Sequence, residues 1–109
     1  MTNIQLDVLK DSGGVKRSYQ PTKKIHAEKV MLNDERNQAG NLNLRMNAWP
    51  CTDQGHDCHK ALIDASLNRT ITLEVNGDIG GYAKNHNFDF NTTGRIVYNN
   101  GNVTITKNP

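Results

Sequence analysis

Apolar and polar residues alternate in several short runs of this chain. Leu42, Leu44 and Met46 are interleaved with Asn43, Arg45 and Asn47, the period-two pattern of a strand with one buried face. Ile4, Leu6 and Val8 alternate in the same way with Gln5 and Asp7, and Ile71, Leu73 and Val75 mark a third strand that ends at Asn76-Gly77. Arg95–Tyr98 and Asn102–Thr106 flank Asn99-Asn100-Gly101. An Asn-Gly pair between β-rich runs is the strongest short signal for a hairpin. The period changes twice. From His26 to Gln38 the residues are good helix formers, with Ala27, Val30 and Met31 in a narrow apolar stripe. Thr22 is a candidate cap and Gly40 suits the exit. Cys58 opens a second helical stretch that places Ala61, Leu62 and Ala65 on one face, with Ile63 and Leu67 extending it and Asp57 as its cap. Ser12-Gly13-Gly14 ends the first strand. Val15 to Lys24 is polar and basic, is broken by Pro21, and reads as a loop with room for a short second strand over Val15–Tyr19. Asp78 to Gly94 reads as a long loop carrying Tyr82, Phe88 and Phe90.

The predicted order is strand, short strand, helix, strand, helix, strand, hairpin. It implies one α/β domain over residues 1–109, with a central mixed sheet of about five strands, two helices on one side and antiparallel final strands. No amphipathic run after Val75 is long enough for a further helix. Both helices begin after loops. Two adjacent helix N-termini that face one another leave N–H groups free and favour thiolate over thiol.

Composition narrows the picture. A chain of 109 residues with 35% hydrophobic and 6% aromatic content builds one modest core, so a bound metal tying it together would help. No run approaches the ~20 apolar residues of a membrane-spanning helix, so no membrane partner is expected. The polar start (Thr2, Asn3, Gln5) lacks the pattern of a secretory signal. Net charge is +2, unevenly spread: residues 1–30 hold Lys10, Lys16, Arg17, Lys23, Lys24 and Lys29 against Asp7, Asp11 and Glu28. The positive excess thus leads up to His26-Ala27-Glu28, where it would attract a phosphate backbone, unless these are simply scattered solvated lysines.

Candidate chemistry lies in two strings. His26-Ala27-Glu28 offers an imidazole and, two residues on, a carboxylate. Pro50-Cys51 and Cys58 offer two thiolates, the only cysteines of the chain. A histidine, two cysteines and an unligated glutamate are the parts of a zinc site that activates water against an aminated base ring. Zinc in catalytic sites takes three protein ligands and keeps one open position; His26, Cys51 and Cys58 supply three. Glu28 then moves protons, taking one from water and giving it to a ring nitrogen and the departing ammonia. A disulfide between the two cysteines is the structural alternative.

Here the sequence resembles the zinc-dependent cytidine deaminase-like superfamily, whose signature is His-x-Glu followed by Pro-Cys-x-x-Cys. His26, Glu28, Pro50, Cys51 and Cys58 match it. His26-Ala27-Glu28-Lys29 and Asp57-Cys58-His59-Lys60-Ala61 are similar to plant organelle RNA-editing deaminase domains. The compact size is similar to the bacterial polymorphic-toxin deaminases found at the ends of large secreted polypeptides. The chain departs from the signature in one respect: Thr52 to Asp57 separate the cysteines, where the family has two residues. Lengthening a loop costs little closure entropy, but it leaves His56 as a competitor to Cys58 for the third ligand.

The resemblance implies a three-layer deaminase fold, one Zn2+, and hydrolysis of cytosine to uracil in DNA by a toxin delivered into a target-cell cytoplasm. It also implies a monomeric toxin domain at the C-terminal end of a larger secreted protein, with a neutralising immunity protein as partner. Ala27, Asn47, Trp49 and Pro50 are candidate substrate contacts; for Trp49 a half-buried core position and for Asn47 a polar strand end are the alternatives. Tyr82, Phe88 and Phe90 either stack on neighbouring bases or pack under their loop. His59 and His86 read as surface or supporting residues. RNA or a free nucleoside is the alternative substrate, and a non-catalytic zinc-stabilised binding module is the alternative of a different class.

Overall fold

The computed structural model describes residues 5–20, 27–38, 40–47, 58–76 and 93–107, the side chains of Cys58 and Lys107 excepted. These form a mixed α/β unit. Six strands, β1 (Leu6–Leu9), β2 (Val15–Tyr19), β3 (Leu42–Met46), β4 (Thr70–Val75), β5 (Gly94–Asn99) and β6 (Asn102–Lys107), build one sheet in the order β2-β1-β3-β4-β5-β6. Two helices, α1 (Ala27–Asn33) and α2 (Cys58–Ala65), follow β2 and β3 in the chain. The sheet has one strand more than the five expected, because Val15–Tyr19 pairs with β1, Leu6 opposite Tyr19 and Val8 opposite Arg17, with a register shift between Val8 and Leu9.

Alternation decides which face is covered. Leu6 and Val8 lie opposite Met46 and Leu44, which lie opposite Val75 and Leu73. Leu73 and Ile71 in turn lie opposite Ile96 and Tyr98. All of these are buried and share one face, where they meet Ala27 and Met31 of α1 and Leu62 of α2. Each fully buried aliphatic side chain contributes about 1.5–3 kcal/mol relative to exposure, so this layer is the main source of cohesion. The other face carries Asp7, Arg45, Glu74 and Arg95, whose strand positions are in register across four strands. Among the described residues helices cover one face only, and they form no third layer.

Strand direction fixes where the helices begin. β1 runs antiparallel to β2 and β3, and β3 runs parallel to β4. The C-terminal ends of β2, β3 and β4 therefore lie at the same end of the sheet. α1 returns the chain from β2 to the start of β3, and α2 from β3 to the start of β4, so the helices are parallel neighbours in contact. Both N-termini point to the end of the sheet marked by Tyr19, Leu6, Met46, Val75 and Gly94.

Three local features depart from, or refine, the sequence pattern. The first helix ends at Asn33 and not near Gln38. Asp34 takes an extended backbone (φ −77°, ψ 124°) and its carboxylate accepts from the Arg36 backbone N–H, capping a separate 3-10 turn over Glu35–Asn37. An Asp that caps its own neighbours competes with helix continuation. The second helix runs as expected from Cys58, but Leu67 is 54% exposed. Its neighbour Ser66 is the buried residue, its hydroxyl donating to the Ile63 carbonyl (2.7 Å) and accepting from the Gly101 N–H (3.1 Å). At the hairpin, Asn99 pairs with Asn102, leaving the two-residue loop Asn100-Gly101 with φ of 52° and 82°. Positive φ at both positions is the type I′ geometry that matches strand twist.

Candidate functional site

Glu28 sits in the first turn of α1 and is fully buried. The local sequence explains both facts. Ala27, Glu28 and Met31 fall on the side of the helix that meets the sheet, so the stripe that drives docking carries the carboxylate inward with it. A carboxylate in the first turn is also favoured by the helix dipole. Ala27, a candidate substrate contact, is wholly enclosed in the core cluster. His26, Trp49, Pro50, Cys51 and the competing His56 lie outside the described residues, as do the proposed caps Thr22 and Asp57 and the loop residues Tyr82, His86, Phe88 and Phe90. Cys58 begins α2, and its side chain is not among those described.

Topology brings the carriers of these residues together. α1 begins one residue after His26 in sequence and α2 begins at Cys58, and the two helix starts lie at the same end of the sheet, on neighbouring parallel helices. One imidazole and two thiolates are a zinc-type donor set. A fully buried carboxylate two residues after His26 in sequence is of the type that a role beside a metal would need. By residue type alone, this donor set would suit a zinc ion. Among the described residues no three His, Cys, Asp or Glu side chains converge on a common point.

Asn47 ends β3 at this same end. Its Oδ1 accepts from the Gln5 backbone N–H at 2.9 Å, which ties the start of β1 to the end of β3. The Asn76 N–H donates to the Met46 carbonyl (2.8 Å) and sets the end of β4 beside it. Gln5, Asp7, Arg45, Asn47 and Asn76 line a depression of about 210 Å³ on the face opposite the helices. Asn76 was legible only as a strand terminator, because what places it beside Asn47 is the parallel register of β3 and β4.

Two polar networks frame the sheet. On the open face Asp7 is 7% exposed and accepts from Gln5 Nε2 (2.8 Å), Ser18 Oγ (2.7 Å) and Arg45 Nη2 (2.9 Å). Burial pushes its carboxyl pKa up, and the three donors together with the Arg45 charge outweigh it, leaving the pKa below the ordinary value. On the covered face the Tyr19 hydroxyl donates to Asp34 (2.6 Å) and accepts from Asn37 Nδ2 (2.9 Å), while Arg69 Nη2 donates to the Asn37 carbonyl (2.6 Å). The Arg36 guanidinium, with help from Tyr19, holds the Asp34 carboxyl well below the usual carboxylate range. This network anchors the C-terminal end of α1 to β2.

Among the described residues the basic side chains of the first thirty positions are divided, with Lys29 in the first turn of α1 and the others away from it. Lys10 and Lys16 are exposed at the β1–β2 turn, where Leu9 pairs with Val15, at the opposite end of the sheet. Arg17 is turned inward onto Tyr19 (3.2 Å) and Asn37 (2.5 Å). Lys23 and Lys24 lie outside the described residues. For Lys10 and Lys16 adjacency in sequence is not adjacency in space, because a strand carries the chain from one end of the sheet to the other. No helix among the described residues is long and apolar enough to cross a membrane.

Comparison with known proteins returns no matching family model, no matching curated protein and no matching solved structure.

Proposed function

We propose that this chain is a zinc-dependent nucleobase deaminase that hydrolyses cytosine in DNA to uracil and ammonia, acting as the toxin domain of a secreted polypeptide. The deaminase-like fold belongs to this reading. The observation that carries it is the position of Glu28: fully buried in the first turn of the helix that follows His26, beside the helix that Cys58 opens. Chemistry of this type needs an acid that remains off the metal yet next to it, and a buried carboxylate two residues after His26 supports that role for Glu28.

His26, Cys51 and Cys58 would hold the metal, which supplies the Lewis acidity that makes water a nucleophile at neutral pH. Glu28 does the proton work. It accepts the proton of the attacking water, delivers it to N3 of the ring, then takes the proton of the hydroxyl formed at C4 and passes it to the exocyclic amine as the C4–N bond breaks, leaving the C4 carbonyl of uracil and ammonia. Its burial keeps bulk water from the carboxylate, so the protons it carries are kept for the ring. Asn47 and Asn76, at adjacent strand ends, lie at the same end of the sheet but line the face opposite the helices, so in this reading they do not border the base. A cytosine in duplex DNA reaches such a site only when extruded or single-stranded.

The test is a product assay on three substrates: single-stranded DNA, RNA of the same sequence, and cytidine. The expected result is uracil in DNA, abolished by Glu28→Ala. Product in RNA or cytidine alone would move the assignment to those substrates. No product in any of them, with wild type and Glu28→Ala having the same effect on cells, would leave a zinc-stabilised binding module.

A further inference from the structure

The core of this protein contains one aromatic hydroxyl that needs an explanation. Tyr98 lies on the covered face of β5 and is fully buried among aliphatic side chains. A phenolic oxygen in such surroundings costs stability unless it is hydrogen-bonded. The partner is His59, in the first turn of α2: its Nδ1 lies 2.8 Å from the Tyr98 hydroxyl, with the rings tilted by 57° at a centroid separation of 5.4 Å. The bond works in either tautomer, since the hydroxyl can donate or accept. His59 directly follows Cys58, a residue on which the zinc reading depends.

Packing does not require this arrangement. A phenylalanine at position 98 would fill the same volume, and a residue in the first turn of a short helix can satisfy itself with solvent. α2 is only eight residues long and carries no acid in its first turn. The bond from β5 supplies a fixed point one residue from the thiol.

We propose that Tyr98 is a positioning residue for the metal centre: through His59 it clamps the first turn of α2 to β5 and so fixes where Cys58 is presented. This rests on the zinc-deaminase reading and deepens it. Residues that orient metal ligands through hydrogen bonds are worth roughly 10–100-fold in metal affinity. Tyr98 acts one residue further out, so about tenfold is expected.

The experiment compares zinc-loaded wild type, Tyr98→Phe, His59→Leu and the double variant. The rate of zinc loss to a chromogenic chelator is read without substrate, and the urea midpoint of each metal-free protein is read separately. The expected result is zinc loss about tenfold faster in both single variants, with no further increase in the double variant, because both remove the same bond. Unchanged zinc loss in Tyr98→Phe, or a change that merely tracks a drop in metal-free stability, overturns the positioning role and leaves the deaminase reading standing. A wild type that takes up no zinc overturns both.

Discussion

Two buried carboxylates, one on each side of the sheet, have different surroundings. Asp7, on the open face, is met by three donors, Gln5 two residues before it and Ser18 and Arg45 on the neighbouring strands. Its environment is that of a structural acid, ionised and held in place by cross-strand partners. Glu28, on the covered face, is carried inward by the helix stripe that docks α1, in the first turn after His26. One acid completes a sheet and the other lies at the start of a helix beside a candidate metal. Burial alone does not distinguish them; the chemistry of what surrounds each does.

The contrast is broken most directly at Glu28. Glu28→Gln is expected to lower the deamination rate by about 10²–10⁴-fold while leaving urea stability equal or higher, since a buried functional acid costs the fold. A large loss of stability with activity intact would place Glu28 with Asp7 as a structural acid. Next in size is the covered layer itself. Leu73→Ala, at its centre and fully buried, should cost about 2–5 kcal/mol in urea unfolding. Thr72→Ala on the opposite face should stay within about 0.5 kcal/mol, and similar losses at both positions would mean that the open face is covered.

Asp7→Asn sharpens the other half of the comparison. Its expected cost at neutral pH is about 1–3 kcal/mol. The folded pKa of Asp7 lies below its ordinary value, so its contribution is present above the unfolded pKa of about 4 and is lost as pH falls from there toward the folded value. Wild type and Asp7→Asn should therefore converge in stability as pH falls below about 4, as read by urea midpoints across pH. Asp34, whose pKa is also held down, adds to the acid limb of both proteins alike. The smallest effect is expected at Arg95 and Glu74. They pair at 2.5 Å with side chains 58% and 37% exposed, so Arg95→Ala should cost no more than about 1 kcal/mol, and less at high salt.

Much of the fold was legible because it is written locally. Leu42–Met46 alternates and is a strand with Leu42, Leu44 and Met46 inward; Asn100-Gly101 specifies a two-residue turn, and the turn fixes the β5–β6 register. Cys58 opening a helix was also readable. The length of α1 was not, because Asp34 ends it with a cap that competes against good helix formers on both sides. At the candidate site, the types of His26, Glu28, Cys51 and Cys58 are what the zinc proposal rests on. The burial of Glu28 needed the helix to dock before it existed.

By itself, then, the sequence determined the strands, the turn, the helix starts and a donor set, because periodicity, φ preference and ligand chemistry act over a few residues. Tertiary structure alone decided that Val15–Tyr19 joins the sheet, that Asp7 is enclosed by Gln5, Ser18 and Arg45, that Lys10 and Lys16 lie far from the helix starts, and that Tyr98 reaches His59. Each depends on pairing between residues distant in the chain, where many partners are chemically equivalent and only the packed whole selects one.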